Sequence, residues 1–400
     1  MNLLASSFYS LEPDSEEVGR MAARSIRQAF SEEPLAAMLI YSTIDHDQSA
    51  VLKAARAELG PGVPILGCSV QGVASDSGLA EDGFVVGAMG FGGSALRCAV
   101  AVENDIEKAT LEKGQHLGRK LKADLAGEPK LVVILYDPLC GANVETLLSG
   151  MGEVISCPFV GGGAGQPFGA PIRTYQYWDC DVLSHGVVAL ALDGPFAAHI
   201  GLCHGTSSTG LAGKVTKSRD NRIQEIDGRS TVDIWREATG HTKDEVVTQE
   251  HMATWALGVE RHFTENGTPK TARVIRGAFG FDDEGAVILQ SAVAEGTSVT
   301  FQHRTTEDVL KGTEEMAQEL TKRTKGQQPW AVLGFECAAR TSPFLGLAHT
   351  TQEHASLRAA IGPDAPWMGM MAWGEIAPLG GTPAFHNYTY PLALLTEMEP

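Results

Sequence analysis

Two charged residues near the C-terminal end of the sequence have the chemistry to hold a ligand. Arg340 and Glu375 each follow an apolar run. They can form an internal ion pair, or bind the carboxylate and the ammonium group of a zwitterionic ligand. Cys337 is either a thiolate whose pKa Arg340 lowers or a buried structural cysteine. His386 and Asn387 precede the last apolar run, where they either cap a turn or line the same pocket.

An internal repeat predicts how these residues are positioned. The segments 63-VPILGCSVQG-72 and 365-APWMGMMAWG-374 share their proline and glycine offsets, and 158-PFVGGGAG-165 is a looser third copy. An apolar run and a helix-like stretch precede each copy, and another apolar run follows it. The preceding runs are 37–41, 131–136 and 330–335, and the following runs are 83–91, 186–192 and 389–395. We therefore expect an α/β fold of repeated strand, helix, strand and strand units with mixed sheets.

The polar loops after the first strands are the expected ligand-binding places, because ligands of α/β units bind beyond the carboxyl ends of strands. These loops are 42-STIDHD-47, 137-DPLCGANVE-145 and 336-ECAARTSP-343. The end of the first Pro-x-x-Gly strand adds Ser69 and Gln71, and the end of the third adds Glu375. We expect a small-ligand pocket that the third unit lines.

The region 196–326 differs from the repeat and is rich in strand signals. Segments 214–228 and 273–291 each have the pattern of two strands around a turn. A chain of 400 residues exceeds what one core usually supports. The sequence therefore predicts two α/β domains, 1–228 and 229–400.

Composition excludes several classes of partner. A net charge of −18 repels phosphate backbones and anionic membranes, so we expect neither nucleic-acid nor membrane binding. The N-terminal residues lack the basic start and apolar core of a signal peptide, and no apolar run is long enough to span a bilayer. Seven scattered cysteines favour reduced thiols and a cytoplasmic location.

Signatures of common enzymes are absent from the sequence. It contains no phosphate-binding G-x-x-x-x-G-K-[ST] motif, no dinucleotide glycine spacing and no H-E-x-x-H pair. A nucleophilic Cys337 assisted by His386 is the catalytic alternative that remains, and it would make the protein a thiol-dependent enzyme. We favour a binding module over an enzyme, and a scaffold without a ligand is a third reading.

Six segments together resemble the paired FIST N-terminal and C-terminal domains. They are 67-GCSVQG-72, 161-GGGAG-165, 214–228, 334-GFECAAR-340, 369-GMMAWGEIAP-378 and 386-HNYT-389. The resemblance implies an intracellular sensory module that binds a small ligand and signals through a partner protein. It also implies an alternative, because one bacterial subset consists of haem-based nitric oxide sensors that regulate histidine kinases in two-component systems.

Haem would need an axial ligand, commonly a neutral imidazole in an apolar pocket. His204 ends an apolar run among small residues, and His386 precedes the last strand, so these two are the expected candidates. The chain has no kinase, DNA-binding or cyclase motif of its own. Any output is therefore expected to pass through a separate protein.

Overall fold

The computed structural model describes residues 2–398 except 168, 170, 171, 243–248, 266 and 267. Helices and strands alternate along most of it, as the sequence predicts. The helices are α1 (Ser15–Ala29), α2 (Gln48–Leu59), α3 (Thr110–Leu125), α4 (Val144–Gly152), α5 (Thr231–Thr239), α6 (Gln249–Thr254), α7 (Thr306–Arg323) and α8 (Leu347–Ile361). A π-helical turn spans Thr341–Leu345.

The strands of the described residues form four sheets. They are β1 (Leu4–Ser10), β2 (Leu35–Ser42), β3 (Ile65–Ser69), β4 (Val73–Ser75), β5 (Leu79–Ala80), β6 (Val86–Gly92), β7 (Arg97–Glu103), β8 (Leu131–Tyr136), β9 (Phe159–Gly163), β10 (Gln176–Trp178), β11 (Asp181–Leu183), β12 (Val187–Asp193), β13 (Phe196–Cys203), β14 (Ser207–Arg219), β15 (Arg222–Ile226), β16 (Arg229–Ser230), β17 (Trp255–Glu265), β18 (Thr268–Gly277), β19 (Gly280–Phe281), β20 (Val287–Ile288), β21 (Ser298–His303), β22 (Ala331–Cys337), β23 (Trp367–Ala372), β24 (Glu375–Leu379), β25 (Thr382–His386) and β26 (Tyr390–Glu397).

The predicted repeat is confirmed by strand pairing. In the first repeat (residues 4–92), β2 and β3 are parallel across α2, and β6 returns antiparallel to β2. The second repeat (97–193) builds the same arrangement from β8, α4, β9 and β12. The third repeat (196–203 and 306–397) builds it from β22, α8, β23 and β26. One more strand and helix precede these elements in each repeat: β1 and α1, β7 and α3, and β13 and α7. The three copies therefore have one topology.

The repeats exchange hairpins in a closed cycle. The hairpin β4–β5, which follows β3, pairs with β23 of the third repeat. Likewise β10–β11 pairs with β3, and β24–β25 pairs with β9. Equivalent backbone hydrogen bonds join the three second strands: Gly165 N to Ser69 O (2.8 Å), Gln71 N to Met371 O (3.3 Å) and Trp373 N to Gly163 O (3.0 Å). The molecule therefore has a pseudo-threefold arrangement.

Three sheets enclose one central core, and the helices lie outside them. The core takes apolar side chains from all three repeats, such as Leu39, Val133 and Leu333. Separate apolar clusters attach α1 and α2 to the first sheet, α3 and α4 to the second, and α7 and α8 to the third. Successive side chains of a strand point to opposite faces of the sheet, so one face packs into the central core and the other packs against the helices.

A fourth, eight-stranded sheet, here the inserted sheet (β14–β21, residues 207–303), interrupts the third repeat between β13 and α7. It has an apolar cluster of its own around Trp235 and Phe301. The predicted division at residues 228 and 229 lies between β15 and β16, which pair with each other. Where the two domains divide stays a prediction.

Candidate ligand site between the third repeat and the inserted sheet

Equivalent residues stand at the carboxyl ends of β2, β8 and β22: Thr43, Asp137 and Cys337. Each donates its backbone N–H to the carbonyl of the residue just before the returning strand, which is β6, β12 or β26. Thr43 Oγ1 donates to a backbone carbonyl, and the Asp137 carboxylate accepts three hydrogen bonds within its own repeat. The polar loops of the first two repeats are thus satisfied at these positions. The third repeat is different, because a carboxyl group lies beside Cys337 and one of its oxygens has no hydrogen-bond partner among the described residues.

That carboxyl group belongs to Glu375, the first residue of β24. Its Oε2 accepts from Thr389 N at 3.1 Å and from Thr389 Oγ1 at 2.9 Å, and the Cys337 thiol interacts with the same group. Its Oε1 is buried and has no hydrogen-bond partner among the described residues. Burial raises the pKa of Glu375 to about 8, so the group is largely protonated at neutral pH.

A buried guanidinium lies in the same region, at the point where the inserted sheet returns to the third repeat. Arg304 follows β21. Its guanidinium carbon lies 4.1 Å from the ring centroids of both Phe344 and Tyr388. Its Nε donates to Ala253 O on α6, and its Nη2 donates to Ala339 O. Nη1 is buried with no partner in the described part of the chain. Burial lowers the pKa of Arg304 to about 10, which still leaves it charged at neutral pH.

Arg340, which the sequence places beside Glu375, has other partners. Its Nη2 donates to Glu353 Oε1 at 2.6 Å and to Thr313 Oγ1 at 3.0 Å, and its Nε lies 3.5 Å from Glu336 Oε1. Glu353 and Thr313 belong to α8 and α7, so Arg340 extends into the helical layer. The expected pairing of Arg340 with Glu375 is therefore not the one that forms. Burial, and next the Glu353 charge, raise the pKa of Glu336.

The first repeat contributes one of its two predicted residues directly. Gln71 Nε2 donates to Thr341 Oγ1 at 3.2 Å and to Ala338 O at 3.4 Å, both in the turn after β22. Its buried Oε1 has no partner within the described ranges. Ser69 Oγ instead accepts from Tyr175 N at 2.9 Å, in the second repeat. Gln71 thus reaches the third repeat because the strands meet at the pseudo-threefold axis.

His386 and Asn387 lie on the other side of Glu375. His386 is the cross-strand partner of Glu375, and its Nε2 donates to Ala377 O at 3.2 Å. Burial, and next Arg276, lower the pKa of His386 to about 3, so the ring is neutral. Asn387 Nδ2 donates to Gln290 Oε1 at 2.6 Å, and Asn387 Oδ1 accepts from Gly277 N. Asn387 therefore ties the last hairpin to the inserted sheet.

Sequence reasoning missed a second attachment of the inserted sheet. The buried Arg276 donates to Glu145 Oε1 at 2.8 Å and to Phe385 O at 2.7 Å. Glu145 Oε1 also accepts from Arg261, and its Oε2 accepts from Ser291 Oγ, each at 2.8 Å. The one sequence signal was an arginine inside the apolar run 273-RVIRG-277. Neither Arg276 nor Arg304 stands in a repeat copy, so the repeat did not point to them.

The chemistry of Cys337 and of the two candidate haem ligands follows from their contacts. Burial raises the pKa of the Cys337 thiol, which is the opposite of what a nucleophile needs. His204 Nδ1 accepts from Thr206 N at 3.0 Å, so Nε2 carries the ring proton when the ring is neutral. His386 is buried, and its Nε2 donates a hydrogen bond to Ala377 O. Neither imidazole offers an Nε2 lone pair to haem iron, so these residues do not fit that group.

The described residues also bear on metal binding and on membrane insertion. They contain no group of three or more His, Cys, Asp or Glu side chains that could hold a metal ion. No helix within them combines the length and the apolar character needed to cross a membrane.

The chain is similar to mycobacterial proteins over part of its length. It is 29% identical over 227 residues to the uncharacterized protein Mb0898c of Mycobacterium bovis, covering 56% of this chain and 57% of that one. It is 28% identical over 230 residues to the uncharacterized protein Rv0628c of Mycobacterium tuberculosis, with the same coverage. The chain thus matches a little over half the length of these relatives. Among solved structures, T. maritima PurL complexed with FGAR is 12% identical with a TM-score of 0.24, covering 99% of this chain and 72% of that one.

Family models match most of the sequence. The FIST N domain model matches residues 36–229, which hold β2 to β15 and the start of β16. The FIST C domain model matches residues 231–378, which run from α5 into β24 and include Arg304, Cys337 and Glu375. Domains of this family are generally ligand-binding modules of sensory and signal-transduction proteins. The chain belongs to the FIST family.

Proposed function

We propose that this protein is a cytoplasmic sensor whose ligand is a small molecule with a carboxylate and an amino group, as in an α-amino acid. The observation that carries the proposal is the presence of Arg304 and Glu375 in the same buried region. Arg304 is charged and Glu375 is largely neutral. Both are buried, and each has one polar atom without a partner among the described residues, Nη1 and Oε1. A buried polar atom without a partner costs free energy, and a ligand that bonds to it recovers that cost.

The charges near the site suit such a ligand. No carboxylate lies within ion-pair distance of Arg304 in the described ranges, so a ligand carboxylate would be its counter-ion. An ammonium group beside Glu375 would favour the ionised carboxyl and lower its raised pKa. Binding would then release a proton from Glu375 to solvent.

The other predicted residues surround this pair in the proposal. Gln71 and Asn387 would offer amide groups, while Cys337 and His386 would contact the ligand as neutral groups. Ser69 would hold the turn below Gln71, and Arg340 would position the loop after β22 by its buried bonds to α7 and α8.

Signal output would follow from the contacts of Arg304. Its guanidinium holds Ala253 O of α6 and Ala339 O of the third repeat together, and the Tyr388 hydroxyl holds Met252 O of α6. A ligand carboxylate that bonds to Nη1 would shift these contacts and move α6 together with the inserted sheet. A partner protein would detect the displaced surface of α6 and the inserted sheet, and the FIST resemblance suggests that this partner is a histidine kinase. We propose binding rather than catalysis, since burial raises the pKa of the Cys337 thiol and so disfavours a nucleophilic thiolate.

A thermal-shift screen tests the proposal. Amino acids would be compared with matched compounds that lack either the amino or the carboxylate group, and only compounds with both groups should raise the melting temperature. The variants Arg304→Gln and Glu375→Gln should lose that response. The control Arg323→Gln changes a half-exposed arginine paired with Glu319 and should keep it. If no compound with both groups binds, or if Arg304→Gln responds like the wild type, the proposal fails.

A further inference from the structure

A groove of about 460 Å³ lies at the end of the sheets opposite to Glu375, between the first and second repeats. Ala36 and Pro64, at the starts of β2 and β3, form one wall with Trp178. The edge strand β7 forms the other wall through Cys98 and Val100. Its volume falls within the range of small-molecule sites, about 300–1,000 Å³.

Comparison of the repeats explains why the groove is open. Met38, Val132 and Val332 each donate a backbone bond to the proline of their own repeat, so the residues two positions earlier are equivalent. These residues are Ala36, Lys130 and Trp330. Lys130 Nζ lies 5.9 Å from the Phe196 ring centroid, and Trp330 packs edge-on against Phe196 and Phe91. We call the gap between the start of a repeat's sheet and the neighbouring repeat the seam. Lys130 and Trp330 fill the seams of the second and third repeats, whereas Ala36 leaves the seam of the first repeat open.

The lining of the groove selects the ligand class. Ala36, Cys98, Val100, Val102 and Trp178 belong to the edge of the central core and remain partly exposed. Exposed core side chains cost free energy that an apolar ligand recovers by covering them. Two further features are polar but already partnered: Lys120 pairs with Asp124 at 2.7 Å, and the Cys98 thiol donates to Ala36 O at 3.0 Å. The lining therefore has no unpaired charge to attract an ionic ligand.

We propose that this groove is a second binding site, specific for a small, uncharged, mainly apolar molecule that packs against Trp178. The site is separate from the one that contains Arg304 and Glu375, since it lies at the opposite ends of the strands. A molecule bound here would join the first and second repeats at their open seam, as Trp330 joins the third repeat to the first.

The neutral fluorescent probe N-phenyl-1-naphthylamine tests the site. Wild-type protein should enhance its fluorescence saturably with one probe bound, and excitation of tryptophan should transfer energy to it from Trp178. Ala36→Trp should reduce binding at least about tenfold, because the new side chain fills the groove as Trp330 fills the equivalent seam. Ala359→Trp, on the exposed face of α8, is the matched control and should bind like the wild type.

Two more variants keep the outcome decisive. Lys120→Trp narrows the groove from the exposed α3 and should also weaken binding, even if Ala36→Trp does not fold. Trp178→Phe should bind the probe with reduced energy transfer. Absence of saturable binding to the wild type, or equal binding by both filling variants, overturns the proposal. The amino-acid response at Arg304 should be unchanged in Ala36→Trp, so failure of one site is distinguishable from failure of the other.

Discussion

Arg340 donates a hydrogen bond to Glu353 at 2.6 Å, and both side chains are buried between the third sheet and its helices. Glu336 is the second carboxyl group in this cluster, at 3.5 Å from Arg340 Nε. One guanidinium thus faces two carboxyl groups, and burial raises the pKa of Glu336, which favours the neutral form of that group. The charges in the cluster balance without any ligand, so Arg340 is a structural residue in this arrangement.

The first prediction is that Arg340→Ala destabilises the protein by about 3–5 kcal/mol, because it leaves Glu353 as a buried charge without a counter-ion. Urea unfolding measures this loss. The control Arg323→Ala breaks an exposed pair with Glu319 and should cost less than about 1 kcal/mol. Replacement of Arg340, Glu353 and Glu336 together by leucine should recover much of the stability. Equal losses in Arg340→Ala and Arg323→Ala would contradict this reading.

The repeated units could be predicted from the sequence because their signals are local. Proline, glycine and apolar runs recur at similar offsets, and each crossover stays within one repeat. The exchanged hairpins could not be predicted in the same way. Val73 pairs with Met370 although about three quarters of the chain separates them, and hydrophobic patterning does not specify which distant edge a short strand joins.

The candidate site was partly predictable for the same reason. Cys337 ends β22, Glu375 comes shortly after the end of β23, and Asn387 directly follows β25, and the repeat topology brings these positions together. Arg304 was overlooked because its position in the sequence is that of a solvated residue at the start of the helical segment 304–323. Its burial depends on α6, Phe344 and Tyr388, which come from three distant parts of the chain.

The second prediction compares two equivalent glycines. A Cβ at Gly67 would lie 1.7 Å from the Ile40 carbonyl oxygen, whereas a Cβ at Gly369 would come no closer than 3.3 Å, to Ala74 O. Gly67→Ala should therefore destabilise the protein by more than about 4 kcal/mol, and Gly369→Ala by about 1 kcal/mol. Thermal and urea unfolding of the two variants check this difference. Similar losses in both would show that the repeats do not pack as described.

The third prediction concerns the reactivity of Cys337. The residue is 4% exposed and burial raises the pKa of its thiol, so little thiolate is available. Native protein treated with iodoacetamide near neutral pH should be modified at the partly exposed Cys180 well before Cys337, as read by peptide mass spectrometry. Denatured protein is the control, in which both should react. Rapid modification of Cys337 in the native state would revive the thiol-enzyme alternative.

The fourth prediction is that purified protein mixed with haem gives no saturable Soret band of a histidine-ligated complex. His204 accepts a hydrogen bond at Nδ1, which places its ring proton on Nε2, and His386 donates from Nε2 to Ala377 O, so neither Nε2 is arranged to bind iron. Absorption spectra of the wild type, His204→Ala and His386→Ala should be the same as those of haem with an unrelated control protein. A Soret band that one of these substitutions abolishes would reinstate the nitric oxide sensor.

The last prediction follows the protonation of Glu375. Its pKa is about 8 in the folded protein against an ordinary value of 4.5. Between these pH values the folded protein retains a proton that the unfolded chain has released. Raising the pH through this window therefore lowers the unfolding free energy contributed by Glu375, by up to about 1.4 kcal/mol per pH unit.

Glu375→Gln removes this titration while keeping a neutral side chain of the same shape. The variant should unfold with nearly wild-type stability at about pH 5 and become progressively more stable than the wild type up to about pH 8, beyond which the difference should stay constant. Urea unfolding at each pH measures the difference. Glu314→Gln, on the exposed face of α7, should show no such trend. Parallel curves for wild type and Glu375→Gln from pH 5 to 9 (roughly the window set by the two pKa values) would show that the carboxyl is ionised throughout. A cationic group of the protein would then already pair with Oε1.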